Sequence, residues 1–170
     1  SLMAQEGIRT LAHALPKICG QPDDRAARTD ALYGAWLSGT CLGAVGMALH
    51  HKLCHTLGGS FNLPHAETHT VILPHALAYN APAAPEAMTR IATALGAPDA
   101  ARGLHDLARK LAAPASLREI GMPESGIDQA ADLAVKNPYW NPRTIEREAI
   151  RELIARAWRG GAPQTSPAIP

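Results

Sequence analysis

Residues 25–57 read RAARTDALYGAWLSGTCLGAVGMALHHKLCHTL, and this stretch decides the fold class. Its pattern predicts one long helix from Arg25 to Val45 and a continuation from Met47 to Leu57. Small residues are dense between Ala31 and Gly46. Because each glycine costs a helix about 1 kcal/mol, this density indicates either a closely packed neighbouring helix or a ligand near the backbone.

The composition of the whole chain points the same way. Of 170 residues 33 are alanine, only three are valine, and aromatic residues make up 4%. Alanine favours helices, whereas sheets favour β-branched and aromatic residues. The composition therefore excludes a sandwich, a barrel and a parallel sheet, and it predicts an all-α, multi-helix bundle. We expect one helical domain over residues 1–160 and a flexible tail over 161–170.

Charge, hydropathy and cysteines limit the possible partners. The net charge of +1, with both signs mixed, supplies no basic stripe for phosphates, so we expect no nucleic-acid partner. No stretch reaches the roughly 18 apolar residues of a membrane span, and no signal peptide is visible. Three cysteines cannot all pair, which favours a reduced, cytoplasmic location.

Other segments show helical periodicity or helix-ending residues. The glycine pair Gly58–Gly59 is a plausible C-cap for the helix that precedes it. Between the later helices, Leu117, Ile120 and Met122 are expected to anchor a loop to the core. Further helices are predicted over residues 2–15, 65–79, 85–95, 99–112, 127–135 and 144–158.

Histidines are concentrated in one part of the chain, since six of the eight lie between residues 50 and 75. His51 and His55 are four apart and share a helix face. A glycine turn can bring His65 back beside them, and His69 lies one turn further along. Imidazole binds transition metals and titrates near neutral pH, so this cluster predicts a metal site or a proton-transfer site.

The remaining histidines and the cysteines are weaker candidates. His50 points about 100° away from His51 around the helix, and we expect it to be structural. His13 and His105 are isolated and are expected to be surface or packing residues. Cys54 neighbours His55, but successive helix residues do not face each other.

Several motifs together resemble the group III, iron-type alcohol dehydrogenases. Within that superfamily, residues 65–75 (HAETHTVILPH) are similar to the maleylacetate reductase branch, because Ala66 and His69 stand where alcohol dehydrogenases tend to have glycine and asparagine. The motifs that carry the resemblance are HKLCHTLGG at 51–59, Pro64-His65, Leu73-Pro74-His75, Tyr79-Asn80 and Asn141-Pro142-Arg143.

The resemblance implies a fold and an activity. It identifies the chain as the C-terminal helical domain of an NAD(P)H-dependent reductase that converts maleylacetate, an oxo-dicarboxylate, to 3-oxoadipate. The resemblance implies that the N-terminal nucleotide-binding domain, which would hold most of the NAD(P)H, and the family's two upstream metal ligands lie outside these 170 residues. A homodimer is expected, and the chain alone is expected to be inactive.

Residue roles follow by matching positions. The resemblance implies that His51 and His65 are metal ligands, for Fe²⁺ or Zn²⁺ where a metal is bound. His55 matches the histidine beside the nicotinamide that assists proton transfer. His69 stands where the branches differ, which implies a role in catalysis or in substrate recognition. Lys52 is a candidate for binding a carboxylate of the substrate.

Two alternatives stay open at this stage. The chain could be the same domain of a metal-dependent alcohol dehydrogenase, which would require Fe²⁺ or Zn²⁺ and accept simple alcohols. It could also be a non-catalytic helical module when isolated.

Overall fold

The computed structural model describes residues 1–137 and 139–165. These residues form helices joined by short loops and contain no strand, which confirms the all-α prediction. A 3₁₀ turn follows the fourth helix at Ala81–Ala83. The α-helices are α1 (Leu2–Gly20), α2 (Arg25–Gly43), α3 (Leu49–Phe61), α4 (His65–Asn80), α5 (Pro85–Leu95), α6 (Ala100–Lys110), α7 (Gly126–Lys136) and α8 (Arg147–Arg159).

Helix starts agree with their capping residues. The side chains of Ser1, Asp24 and Asp99 each accept a hydrogen bond from the backbone N–H three residues later. Such a cap satisfies one of the donors that a helix N-terminus leaves without a partner. The chain therefore encodes the starts of α1, α2 and α6 locally.

The predicted stop of α3 at Gly58–Gly59 is wrong. The helix continues through both glycines to Phe61 and ends at Asn62, which has a left-handed φ of 52°. Asparagine tolerates this conformation better than most residues and serves as a C-cap. The two glycines remain helical and bring the end of α3 close to the following loop, with the Leu63 carbonyl oxygen 3.8 Å from a Cβ built on Gly58.

The main core lies among α3, α4, α7 and α8. The loop before α7 is pinned to this core, because the Leu117 N–H donates to the Ala157 carbonyl at 3.1 Å and the Trp158 indole donates to the Met122 carbonyl at 2.8 Å. Leu117 and Met122 are buried as predicted, and Ile120 is half-buried. The largest fully buried side chains of the core are Leu49, Leu53, Leu57, Ile72, Leu117, Ile150 and Ile154.

The first two helices form a hairpin at the edge of this core. They approach closely where Gly34 faces Gly7, with the Gly7 carbonyl oxygen 3.2 Å from the position of a Cβ on Gly34. The expected close packing of the small-residue stretch is therefore confirmed at Gly34, whereas Gly39, Gly43 and Gly46 have nothing within 4 Å of an added Cβ. The outer face of α2 exposes Leu32, Tyr33 and Trp36.

A polar network joins the start of α3, the end of α4 and the loop before α8. Asn141 and Asn80 exchange two side-chain hydrogen bonds of 2.7 and 3.2 Å. The Asn141 Oδ1 also accepts from the Leu49 N–H at 3.4 Å. Arg143 donates to the Tyr79 carbonyl and stacks 4.3 Å above the Tyr79 ring. This network fixes where α3 begins.

Two further expectations concern the membrane and the tail. None of the helices in the described part of the chain is long and apolar enough to cross a membrane. Residues 161–165 of the expected tail carry no helix, and residues 166–170 lie outside the described residues. The flexibility of the tail therefore stays a prediction.

The close approach of α1 and α2 can be tested with alanine substitutions. A methyl group at Gly34 would lie 2.9 Å from Leu11 Cγ, so we expect Gly34→Ala to lower the free energy of unfolding by about 1–3 kcal/mol, as overpacking does. Gly39, on the same helix, has nothing within 4 Å of that position, and Gly39→Ala should raise the same quantity by about 0.5–1 kcal/mol. Urea unfolding measures both, and equal stability of the two variants would contradict the close contact.

The Asn141 network can be tested in the same way. Asn141→Ala leaves the Leu49 N–H and the Asn80 amide without their partner, so we expect a loss of about 1–3 kcal/mol in the free energy of unfolding. Gln129→Ala removes an exposed amide on α7 and should change it by less than about 0.5 kcal/mol. If both variants lose the same amount, Asn141 does not hold the start of α3.

Candidate functional site

Helices α3 and α4 form an antiparallel pair joined by a turn at residues 62–64. The four-residue spacing places His51 and His55 along one face of α3, and His65 and His69 along one face of α4. Burial of Leu53, Leu57 and Ile72 behind these faces holds the pair together. The histidines therefore project from rigid helices rather than from loops.

His69 lies at the centre of the histidine cluster. Its ring centroid is 4.3 Å from that of His65, 5.0 Å from that of His51 and 6.4 Å from that of His55. His55 lies 6.3 Å from both His51 and His65. The structure thus brings together the four histidines that the sequence singled out.

A fifth imidazole, that of His50, belongs to the same cluster. Its ring is 4.9 Å from His69 and 5.2 Å from His51. Its Nε2–H donates to the His69 backbone carbonyl at 3.1 Å. From the sequence, His50 was expected to have only a structural role, because it points away from His51 on α3. The contact with α4 could not be read from that spacing.

Burial and mutual repulsion keep three of these rings, those of His50, His51 and His69, neutral. Burial, followed by the surrounding histidines, lowers the pKa of His69 to about 4. Burial also lowers the pKa of His50, and burial together with His55 and His65 lowers the pKa of His51. Near pH 7 these three rings are therefore uncharged, and each keeps one nitrogen lone pair.

One atom of the cluster lacks a partner. The Nε2 of His69 is buried and makes no hydrogen bond within the described residues. A buried polar atom without a partner costs about 1–3 kcal/mol, and such atoms in native structures often mark a ligand position. Neutral imidazoles around an unsatisfied nitrogen are chemically suited to Fe²⁺ or Zn²⁺.

The other predicted residues lie outside the cluster. Lys52 is exposed on α3 and lies about 100° around the helix from His51. His75 is buried on α4, where burial, His105 and Arg156 lower its pKa to about 4. His13 is exposed, and His105 contacts Asp106 at 3.3 Å, so neither joins the cluster.

Cys54 also lies closer to the cluster than its place in the sequence indicated. This residue lies four positions after His50 and is 2% exposed. Its thiol donates to the Thr68 carbonyl across the helix pair at 3.8 Å, and burial raises its pKa to about 12. The four-residue spacing between His50 and Cys54 indicates that both lie on one face of α3. In the sequence, attention fell instead on the adjacent His55, which points in another direction.

Known proteins match both the sequence and the fold. The C-terminal family model of the Fe-containing alcohol dehydrogenases matches residues 1–158. The maleylacetate reductase of Burkholderia cepacia is 63% identical over 162 residues, which are 95% of this chain and 46% of the relative. The chain spans about half the length of the curated relatives it matches.

Solved structures give the same result. The crystal structure of the maleylacetate reductase from Agrobacterium tumefaciens matches with a TM-score of 0.93 and 55% identity, over 96% of this chain and 46% of that one. The iron-containing alcohol dehydrogenase from Corynebacterium glutamicum matches with a TM-score of 0.87 and 46% identity, over 92% of this chain and 44% of that one. The family model, the sequence relatives and the helical fold agree, and the chain belongs to the iron-containing alcohol dehydrogenase family as its C-terminal helical domain.

Proposed function

We propose that this chain is the C-terminal half of an NAD(P)H-dependent maleylacetate reductase, which reduces the carbon–carbon double bond of maleylacetate to give 3-oxoadipate. The observation that carries the proposal is the convergence of His51, His55, His65 and His69 on one α3–α4 face. The 63% identity to a maleylacetate reductase supports the choice of substrate. The expected cytoplasmic location and homodimer stay predictions.

The histidines divide the chemistry among themselves in this proposal. The reduced nicotinamide, when bound, supplies a hydride to one carbon of the double bond. His55, which is exposed at the edge of the cluster, supplies or relays the proton that the other carbon takes up. His69, at the centre of the cluster, contacts the substrate, and Lys52 attracts one of its carboxylates.

A metal fits this cluster only in part. His51 and His65 would provide two imidazole ligands for Fe²⁺ or Zn²⁺ on either side of His69, and the neutral state of His51 favours coordination. The remaining ligands would come from outside this chain. A bound ion would act as a Lewis acid toward a substrate oxygen.

The exposed face of α2 supports a partner domain. Leu32 and Trp36 are 74% and 62% exposed on the same face, with Tyr33 beside them. An apolar patch of this kind is typical of surfaces that another domain covers. We propose that a nucleotide-binding domain covers it and holds most of the NAD(P)H.

The reductase proposal can be tested in a chimera. The chain is fused behind the part of the Burkholderia cepacia relative that it does not match, and maleylacetate-dependent NADH and NADPH oxidation are measured. We expect turnover in the chimera and none with the chain alone. Oxidation of simple alcohols that stops with a chelator and returns with Fe²⁺ or Zn²⁺, without maleylacetate reduction, would favour the alcohol dehydrogenase alternative instead.

His55 is the residue to substitute in that chimera. If it moves the proton, His55→Ala lowers kcat by about 100-fold or more, the usual contribution of a positioned acid or base. His13→Ala, at an exposed histidine on α1, serves as the matched control and should leave kcat unchanged. Full turnover in His55→Ala would remove this residue from the mechanism.

Lys52 makes a different prediction. Because it is proposed to attract a carboxylate rather than to react, Lys52→Gln should raise KM for maleylacetate about 10-fold, which corresponds to about 1.4 kcal/mol, with kcat unchanged. The effect should weaken with added salt. Lys110→Gln removes an exposed charge on α6, and a KM change as large as that of Lys52→Gln would show a general charge effect.

A further inference from the structure

A second set of ligand atoms includes two imidazoles of the histidine cluster and lies between α3 and α4. His50 and Cys54 come from α3, and His69 comes from α4. One ligand atom from each of these three residues lies within 4.8 Å of the other two. Cys54 is 2% exposed, and both histidines are half-buried. The three atoms therefore converge at the helix interface and not on the open surface.

Two hydrogen-bonding features prepare the histidines for a ligand. The His50 Nε2–H donates to the His69 backbone carbonyl, so the other nitrogen of the neutral His50 ring carries a lone pair. Histidines that coordinate metals commonly hold their second ring nitrogen in this way. The His69 Nε2 is buried and has no partner within the described residues, so it gains a bond if an ion binds.

The donor set selects a class of ion. Two imidazoles and one thiolate match a zinc-type divalent cation, which binds nitrogen at about 2.0–2.1 Å and sulfur at about 2.3 Å. Around one such ion, ligand atoms lie roughly 3.3–3.6 Å apart, so the ligand atoms, which lie within 4.8 Å of one another, need to close by at most about 1.5 Å. As the bond to sulfur forms, the Cys54 thiol releases its proton to solvent.

We propose that His50, Cys54 and His69 form a metal site for a zinc-type divalent ion, separate from the His51 and His65 pair. The ion links α3 to α4 through three protein ligands, and water takes the fourth position. His69 belongs both to this site and to the substrate face, so an ion bound here withdraws His69 from the substrate. The site depends on no N-terminal domain and can be tested in the chain itself.

Cobalt(II) serves as the probe, in a Cys19→Ser, Cys41→Ser chain that keeps Cys54 as its sole thiol. We expect a thiolate-to-cobalt charge-transfer band in the near ultraviolet, saturating at one ion per chain and removed by zinc. Cobalt binding without this band, or no cobalt binding, overturns the proposal. This measurement leaves the three ligand residues unaltered, so it does not depend on a core variant that folds.

Matched histidine variants then assign the ligands, with circular dichroism confirming the helix content of each. His50→Asn should weaken cobalt binding by at least about 10-fold. Mutation of residues that only hydrogen-bond to a metal ligand already costs about 10–100-fold in affinity, and loss of a ligand should cost no less. His51→Asn, one position along the same helix, should keep the band and the affinity. The reverse pattern would assign the ion to the His51 and His65 pair and overturn the proposal.

Discussion

The hydrogen bond from the Leu49 N–H to the Asn141 side chain is the constraint on which the histidine cluster depends. It caps α3 with a residue 92 positions further along the chain, because Ala48 at the start of α3 has no side chain that can do so. The next residues of α3 are His50 and His51. The loop before α8 therefore contributes to the position of the cluster, together with the helix spacing and the short turn between α3 and α4.

Among the described residues, no carboxylate forms an ion pair with a histidine of the cluster; the one histidine with such a partner is His105. Each ring in contact with His69 is another imidazole, so protonation of one ring disfavours protonation of the next. The lowered pKa values of His50, His51 and His69 keep these three rings neutral where a histidine paired with an acid would be charged. The cluster is suited to donating lone pairs to an ion, or to passing a single proton, without building up buried charge.

Most of the fold and part of the site could be predicted from the sequence. Helical periodicity acts within a few residues, so the presence of the helices was predicted correctly, although α1 continues through Pro16 to Gly20 instead of ending near residue 15. The convergence of His51 and His65 followed from one short turn between two helices. The stop at Asn62 was missed because glycine is the commoner C-cap, although helices tolerate glycine at a modest cost.

The parts that could not be predicted depend on contacts between distant segments. Nothing near His50 in sequence shows that its ring reaches the His69 carbonyl on α4. The exchange of hydrogen bonds between Asn80 and Asn141 spans 61 positions. The motifs that contain these asparagines were noticed only through a family resemblance, since the physical reason for their presence appears when the chain is folded.

The edge position of the α1–α2 hairpin has a consequence for the native-state dynamics of this chain. Within the described residues α2 packs mainly on α1, and α1 reaches the rest of the molecule mainly through α5. Such a unit can open without disturbing the α3–α4 core, because few interactions are lost in the process. Backbone amides of α2 should therefore exchange with deuterium through local opening, well before those of α3 and α8. If another domain covered Trp36, the exchange rate of the hairpin amides would fall to that of the core amides.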